Sequence, residues 1–345
     1  MPSPRRTAAL PCLLPPLAAL ALACAGAPPR APATALPAGA VDPDAAAFEY
    51  PLPVSTFELD SQRQRLRMAY VDAPAAKPNG RTVLLLHGKN FHAGTWAETI
   101  AALNRAGFRV IAPDQIGFGK SSKPERYQFS FAQLAANTRA LLASLGVERT
   151  AVVGHSMGGM LAVRYALEYP EATERLLLVN PIGLEDYAAF LPPRTVDQWY
   201  AQELKQTPDS VRDYQRQAYY DGAWKPEYEA HTRLLAGWTL HPGWPRVAWV
   251  SALTYDMIVT QPVVHELERL RVPTRLVIGL RDRTAIGRPL APAGLREAMG
   301  DYTRLGKAAQ RRIPGAELVE LPGIGHVPQV EAFPAFERAL LDFLR

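Results

Sequence analysis

The string Gly154-His155-Ser156-Met157-Gly158-Gly159 carries the strongest chemical signal in this 345-residue chain. It follows the apolar run Ala151-Val152-Val153 and precedes a helical pattern, which predicts a serine on a sharp strand-to-helix turn. Such a turn tolerates only small residues at its flanks, hence glycine at 154 and 158. It would lift the Ser156 hydroxyl out of the sheet and aim the Met157 N–H at a developing oxyanion. A serine hydroxyl is a weak nucleophile until a base accepts its proton. His326, in Pro322-Gly323-Ile324-Gly325-His326, follows the expected strand Glu317 to Leu321, and Gly323 and Gly325 would let that loop return over the serine. Asp282 stands after the apolar run Thr274 to Leu280, placed to orient the imidazole and stabilise its cation. Two plainer readings stay open: a structural role for His326, and Asp282 as a turn cap or a partner of Arg281 or Arg283. A second oxyanion donor is expected after His87-Gly88, from the Lys89 backbone N–H, with Asn90 assisting. Each such donor supplies about 3–4 kcal/mol of transition-state stabilisation. The chemistry implied is acyl transfer to Ser156 and then to water.

These residues need a frame that brings them to one rim. Thr82 to Leu86, Phe108 to Ala112, Thr150 to Val153, Leu176 to Val179, Thr274 to Ile278 and Glu317 to Leu321 read as strands. Helical patterns cover Thr95 to Ala106, Phe131 to Leu145, Met157 to Tyr169 and Ala332 to Leu344. Continuous apolar strands suit a sheet covered on both faces, and the alternation predicts a mostly parallel sheet flanked by helices. Sites in such sheets lie at the carboxyl ends of the strands, where all the candidates stand. Phe57 to Leu59 and Leu66 to Tyr70 read as two edge strands of a first hairpin. Between 184 and 271 the alternation stops, and five of the six tryptophans fall there: Trp199, Trp224, Trp238, Trp244 and Trp249. That stretch is expected to be a helical insertion over the sheet. Its aromatics fit either an apolar acyl or aryl substrate or the packing of the insertion itself. A second, irregular stretch runs over 283–314.

With 48% hydrophobic and 21% charged residues, the chain can bury a sizeable core. Its formal charge of +5 is spread along the sequence without a dense basic run, which disfavours nucleic-acid binding. Both cysteines, Cys12 and Cys24, precede the expected fold, leaving its body without thiol chemistry or a disulfide. Residues 1–25 read as an export leader: Arg5 and Arg6, then an apolar stretch from Leu13 to Ala25, too short for the roughly 20 residues that span a bilayer. Leu20-Ala21-Leu22-Ala23-Cys24 is similar to a lipobox, so a lipidated Cys24 anchoring the protein competes with ordinary cleavage after Ala23 or Ala25. The expectation is an exported bacterial protein, periplasmic or membrane-anchored. Residues 26–47, rich in Ala and Pro, are expected to be a flexible tether, with order beginning near Phe48.

Taken together, His87-Gly88, Asp114-Gln115-Ile116-Gly117-Phe118-Gly119-Lys120-Ser121, Gly154 to Gly159, Asp282 and His326 make the chain resemble the α/β-hydrolase superfamily over roughly residues 50 to 345. The resemblance implies a core over 48–183 and 272–345, a helical lid over 184–271, and hydrolysis of a small-molecule substrate through an acyl-enzyme without metal or organic cofactor. The expected reaction within it is hydrolysis of a carboxylic ester with an apolar acyl or aryl group. The alternatives are a carbon–carbon bond hydrolase of aromatic degradation, an aminopeptidase of the proline iminopeptidase type, an acyltransferase, or a low-turnover binding protein on the same fold. Ser156 stands where epoxide hydrolases and haloalkane dehalogenases of the fold carry Asp. Val327-Pro328-Gln329 replaces the Trp that often follows the base in the carbon–carbon hydrolases. Met157 stands where proline iminopeptidases often carry Trp, and among the lid carboxylates Glu185, Asp186 and Glu203, solvated surface is the plainer reading.

Overall fold

A computed structural model describes residues 1, 3, 4 and 35–345. The leader and lipobox readings, Cys24 included, fall on residues outside those described.

Residues 36–345 form one unit built on an eight-stranded sheet. Its strands are β1 (Ser55–Ser61), β2 (Gln64–Ala73), β3 (Thr82–Leu86), β4 (Arg109–Pro113), β5 (Thr150–His155), β6 (Thr173–Val179), β7 (Thr274–Gly279) and β8 (Glu317–Leu321), in the spatial order β1-β2-β4-β3-β5-β6-β7-β8. From β4 to β8 every pairing is parallel, and β2 runs antiparallel to both β1 and β4. Only β1 of the first hairpin is therefore an edge. The sequence expectation of two edge strands is corrected because Tyr70 to Ala73 extend β2 far enough to pair with β4.

The apolar runs are strands because both their faces are covered. Side chains alternate across the sheet: Leu84, Leu86, Val152, Leu176, Leu178, Leu276 and Ile278 enter one core, while Val83, Leu85, Ala151, Val153, Leu177, Val179 and Val277 enter the other. Helices α1 (Ala97–Arg105), α2 (Phe131–Ser144) and α3 (Met157–Glu168) connect the strands. Ser130 caps α2 by accepting from Gln133 N–H at 3.0 Å.

Between β6 and β7 the chain inserts α4 (Val196–Glu203), α5 (Pro208–Tyr220), α6 (Pro226–Thr239) and α7 (Trp244–Thr260). Thr195 and Gln198 form a capping box at α4, and Thr207 with Pro208 opens α5. The insertion's tryptophans mostly pack within it. Trp238 and Trp244 share a small core with Leu234 and Val247, and Trp199 stacks on Tyr255 with centroids 5.2 Å apart. After β7 come α8 (Ala293–Arg296) and α9 (Tyr302–Arg312), and after β8 come α10 (Pro328–Glu331) and α11 (Phe333–Leu344). The stretch read as irregular thus contains a three-turn helix. Its polar composition hides it, but Tyr302, Gly306 and Ala309 form a buried stripe against the sheet.

Residues 36–47 are also ordered, which corrects the expectation of a tether up to residue 47. Asp42 accepts from the N–H groups of Asp44 and Ala46, making a local turn. Ala45 is wholly buried, Val41 N–H donates to Gly237 O, and the Trp238 indole donates to Asp42 O at 3.0 Å. Lys120 Nζ reaches Ala45 O from the core, so the segment straps the insertion to the sheet. Asn, Gln or Ser in this stretch would leave it solvated, whereas Val41, Ala45 and Phe48 give it something to bury.

A Cβ on Gly237 would lie 2.5 Å from Val41 Cγ2 and 2.7 Å from Gly39 O. Alanine inside a helix ordinarily stabilises by roughly 0.5–1 kcal/mol over glycine. Gly237→Ala is expected instead to lower stability by about 1–3 kcal/mol, because the strap must be displaced. Denaturant unfolding, with limited proteolysis of residues 36–47, measures it. A more stable variant would show that the strap does not hold this seat.

Candidate active site

β5 ends at His155, and α3 begins at Met157, leaving Ser156 alone to turn the chain. Ser156 has φ 56° and ψ −121°, a strained conformation for an L-residue. The flanking glycines are sterically required. A Cβ on Gly154 would lie 2.2 Å from Gly158 O, and one on Gly158 would lie 2.2 Å from Leu86 O. The turn is pinned through the Ser156 carbonyl, which accepts from Gly159 N–H at 2.9 Å and Ile182 N–H at 3.2 Å.

The loop after β3 comes directly against this turn. A Cβ on Gly88 would be 3.0 Å from Ser156 Cβ. His87 fixes that loop with both ring nitrogens: Nδ1–H donates to Gly88 O at 2.8 Å, and Nε2 accepts from Gln115 N–H at 3.1 Å. Burial lowers its pKa, consistent with this neutral tautomer. The backbone N–H groups of Lys89 and Met157 have no acceptor among the described residues. Met157 N–H is the first of α3, where the helix leaves its amides unpaired and favours negative charge.

Asp282 and His326 are both wholly buried, and His326 Nδ1–H donates to Asp282 Oδ2 at 2.6 Å. Thr284 N–H donates to Asp282 Oδ1 at 2.7 Å. His326 Nε2 has no partner among the described residues, and no hydrogen bond joins it to Ser156. The His326 backbone is nonetheless tied to the residue beside the serine. His155 Nε2–H donates to His326 O at 2.9 Å, with the two ring centroids 4.9 Å apart. Burial pushes the His155 pKa well down, so it serves here as a neutral strut. The structure therefore gathers Ser156, Met157, the Gly88–Lys89 backbone, Asp282 and His326 at the carboxyl ends of β3, β5, β7 and β8.

The loop carrying His326 depends on close approach. A Cβ on Gly279 would meet Gly325 O at 2.3 Å, and one on Gly325 would meet Tyr219 O, in the insertion, at 2.1 Å. Gly325 thus serves contact more than flexibility. Glu331 braces the same loop, accepting from Gly325 N–H at 2.7 Å and from Arg281 at 2.6 Å.

Three features escape the sequence reading. Asn180, directly after β6, donates to Asp282 Oδ2 at 2.8 Å while accepting from Gly279 N–H at 2.8 Å, and so holds the carboxylate. Its place at a strand's carboxyl end was the available signal. The Tyr219 ring stacks on His326 with centroids 4.8 Å apart, and its hydroxyl accepts from Asn90 Nδ2 at 3.0 Å. Asn90 is therefore engaged by Tyr219. Third, the Lys89 side chain turns into the insertion. Its ammonium donates to Ser251 Oγ at 2.5 Å, lies 3.7 Å from the centre of the Tyr255 ring, and Ser251 donates to Glu203 at 2.5 Å. Burial lowers the Lys89 pKa to about 8, opposed by Glu203. Reading Glu203 and Glu185 as solvated surface is corrected. Glu203 is only 2% exposed within this network, and Glu185 is buried, accepting from Gly300 N–H. Asp186 pairs with His265 at 2.9 Å.

A cavity of about 300 Å³ opens under the insertion, lined by Asn90, Glu203, Tyr214, Gln215, Tyr255 and Ile286 among others. None of the tryptophans lines it. Among the described residues no group of three or more His, Cys, Asp or Glu is placed to hold a metal.

Comparison with known proteins identifies the family of the fold. Residues 81–333 match the alpha/beta hydrolase fold family. A solved Pseudomonas aeruginosa PAO1 protein described as a "probable hydrolytic enzyme" is 55% identical, with a TM-score of 0.87, covering 89% of this chain and 98% of that one. A Paraburkholderia phymatum 2-hydroxy-6-oxononadienedioate/2-hydroxy-6-oxononatrienedioate hydrolase is 31% identical over 287 residues, 81% of this chain and 91% of its own. An uncharacterized Mycobacterium tuberculosis protein is 42% identical over 106 residues, a match spanning only 30% of that protein's length. Sheet order, strained serine turn and matched span lead to one conclusion: the chain belongs to the alpha/beta hydrolase family and is a hydrolase.

Proposed function

We propose that this hydrolase cleaves a carboxylic ester through an acyl-enzyme on Ser156. His326 Nε2 takes the serine proton as the hydroxyl attacks the carbonyl, and the N–H groups of Lys89 and Met157 receive the oxyanion. His326 then protonates the leaving alcohol and activates the water that releases the acid. Asp282, held by Asn180 and Thr284 N–H, keeps the proton on Nδ1 so that Nε2 stays free to accept. The observation that carries the reading is this last one. A buried imidazole bonded to a carboxylate through Nδ1 has its other nitrogen unpartnered among the described residues, and its backbone carbonyl is bonded to His155, the neighbour of a serine on a strained turn.

A second reading, a carbon–carbon bond hydrolase, is favoured by the Paraburkholderia relative, named as a hydrolase of a 2-hydroxy-6-oxo dienedioate or trienedioate. Here the same serine and imidazole would cleave an acyl–carbon bond of a dienedioate-type diketone. The test is labelling with a fluorophosphonate, followed by turnover of nitrophenyl butyrate and of a ring-fission diketone. The ester reading expects the label on the peptide containing Ser156 and faster turnover of the ester. Labelling with turnover of the diketone alone favours the second reading. A label on another residue removes both.

A further inference from the structure

We propose that the cavity under the insertion is an acyl-group subsite, and that Gln215 selects acyl chains ending in a carboxamide. The inference rests on the ester-hydrolase reading and deepens it.

Gln215 is wholly buried, yet neither its Oε1 nor its Nε2 has a partner among the described residues. Buried side-chain polar atoms nearly always have one, and an amide missing both weakens the fold unless something else supplies them. Its position sharpens the anomaly. Val211, Gln215 and Tyr219 are successive positions of one buried stripe on α5, where packing alone would place an apolar residue. Gln215 lines the cavity. Tyr219, one turn on, is stacked on the His326 ring. Four residues of helix advance about 6 Å. Asn90, bonded to the Tyr219 hydroxyl and next to Lys89 in the chain, lines the same cavity, and a four-methylene adipamoyl chain probes a reach of the order of that helical step.

The chemistry of that end follows from the neighbours. An unpaired carboxamide offers a donor and an acceptor side by side, and its complement is a group offering both in return. Charge in the cavity is already balanced, because Glu203 faces Lys89 through Ser251. A carboxylate there would be left without a counter-charge close to Glu203. A branched alkyl end would leave Gln215 as unpaired as before. A neutral carboxamide satisfies both atoms and adds no charge.

The test compares nitrophenyl esters of adipamic acid, of its branched alkyl isostere, and of adipic acid with its far carboxylate free. The wild type is expected to favour the adipamic ester over the isostere by at least about tenfold in kcat/KM, about one hydrogen-bonding interaction's worth. Gln215→Met, of similar size, is expected to reduce that ratio at least tenfold, and Gln215→Leu reads the same ratio should the first variant fold poorly. A ratio unchanged by either substitution, or a wild type that prefers the isostere or the free acid, overturns the subsite. Calorimetric binding of adipamide to Ser156→Ala separates the two levels of the argument. Binding that Gln215→Met abolishes, without ester turnover by the wild type, sinks the ester reading and spares the subsite. Turnover without Gln215-dependent binding does the reverse.

Discussion

Ser156→Ala is expected to lower kcat on nitrophenyl butyrate about 10⁶-fold, the scale at which removing a serine nucleophile leaves only binding and oxyanion stabilisation. The size follows from what remains. His326 would keep its bond to Asp282, the proposed oxyanion donors Lys89 and Met157 would remain, and no covalent intermediate would form. Folding is expected to be nearly unaffected. The Ser156 hydroxyl has no hydrogen-bond partner among the described residues, and alanine meets the same backbone conformation as serine. Steady-state kinetics with a denaturation curve checks both parts. A variant that keeps a tenth of the activity with an intact fold would remove Ser156 from the reaction.

Asp282→Asn is expected to cost about 10⁴-fold in kcat, with little change in the position of the ring. Asp282 accepts three hydrogen bonds, from His326 Nδ1–H, Asn180 Nδ2–H and Thr284 N–H. An asparagine has one oxygen, and its amide nitrogen can only donate. Because Asn180 and Thr284 are committed donors, the group with freedom to change is the imidazole, which can move its proton to Nε2. In that tautomer it cannot accept the serine proton. The kinetic loss should exceed the loss in stability, for which one unpaired buried group costs about 1–3 kcal/mol. A loss below tenfold would show that Asp282 holds structure alone.

The parts of this site legible in the sequence are those that sterics confine to a short string. Gly154, Ser156 and Gly158 must be neighbours because the turn brings Gly158 O within 2.2 Å of where a Cβ on Gly154 would stand. His326 and Asp282 were legible because each follows an apolar strand at the rim where such sheets place their chemistry. Asn180 follows a strand in the same way, but asparagine after a strand is ordinary turn chemistry, and nothing local distinguishes its grip on Asp282. Glu203 looked like surface because a carboxylate near a helix end usually is. Its burial is set by Lys89, 114 residues earlier in the sequence, and Ser251, 48 residues later. Residues 36–47 read as tether because their composition resembles one, while the groove that receives them is made by Gly237 and Gly243, far along the chain. The parallel sense of the strands beyond the first hairpin was implied by alternation, whereas their spatial order was not, and the length of β2, and with it the true edge, depended on pairing with β4.

The contact between Gly325 and Tyr219 has a consequence for timing. The imidazole rests against the same helix that lines the cavity, so any movement of that helix to admit a molecule would also disturb the ring. Were α5 to swing outward, Tyr219 would leave the ring, and the imidazole would lose a surface it packs against. Departure of the first product and arrival of water would then be separated by a reseating step, and the slowest stage of turnover would belong to the helix more than to bond cleavage.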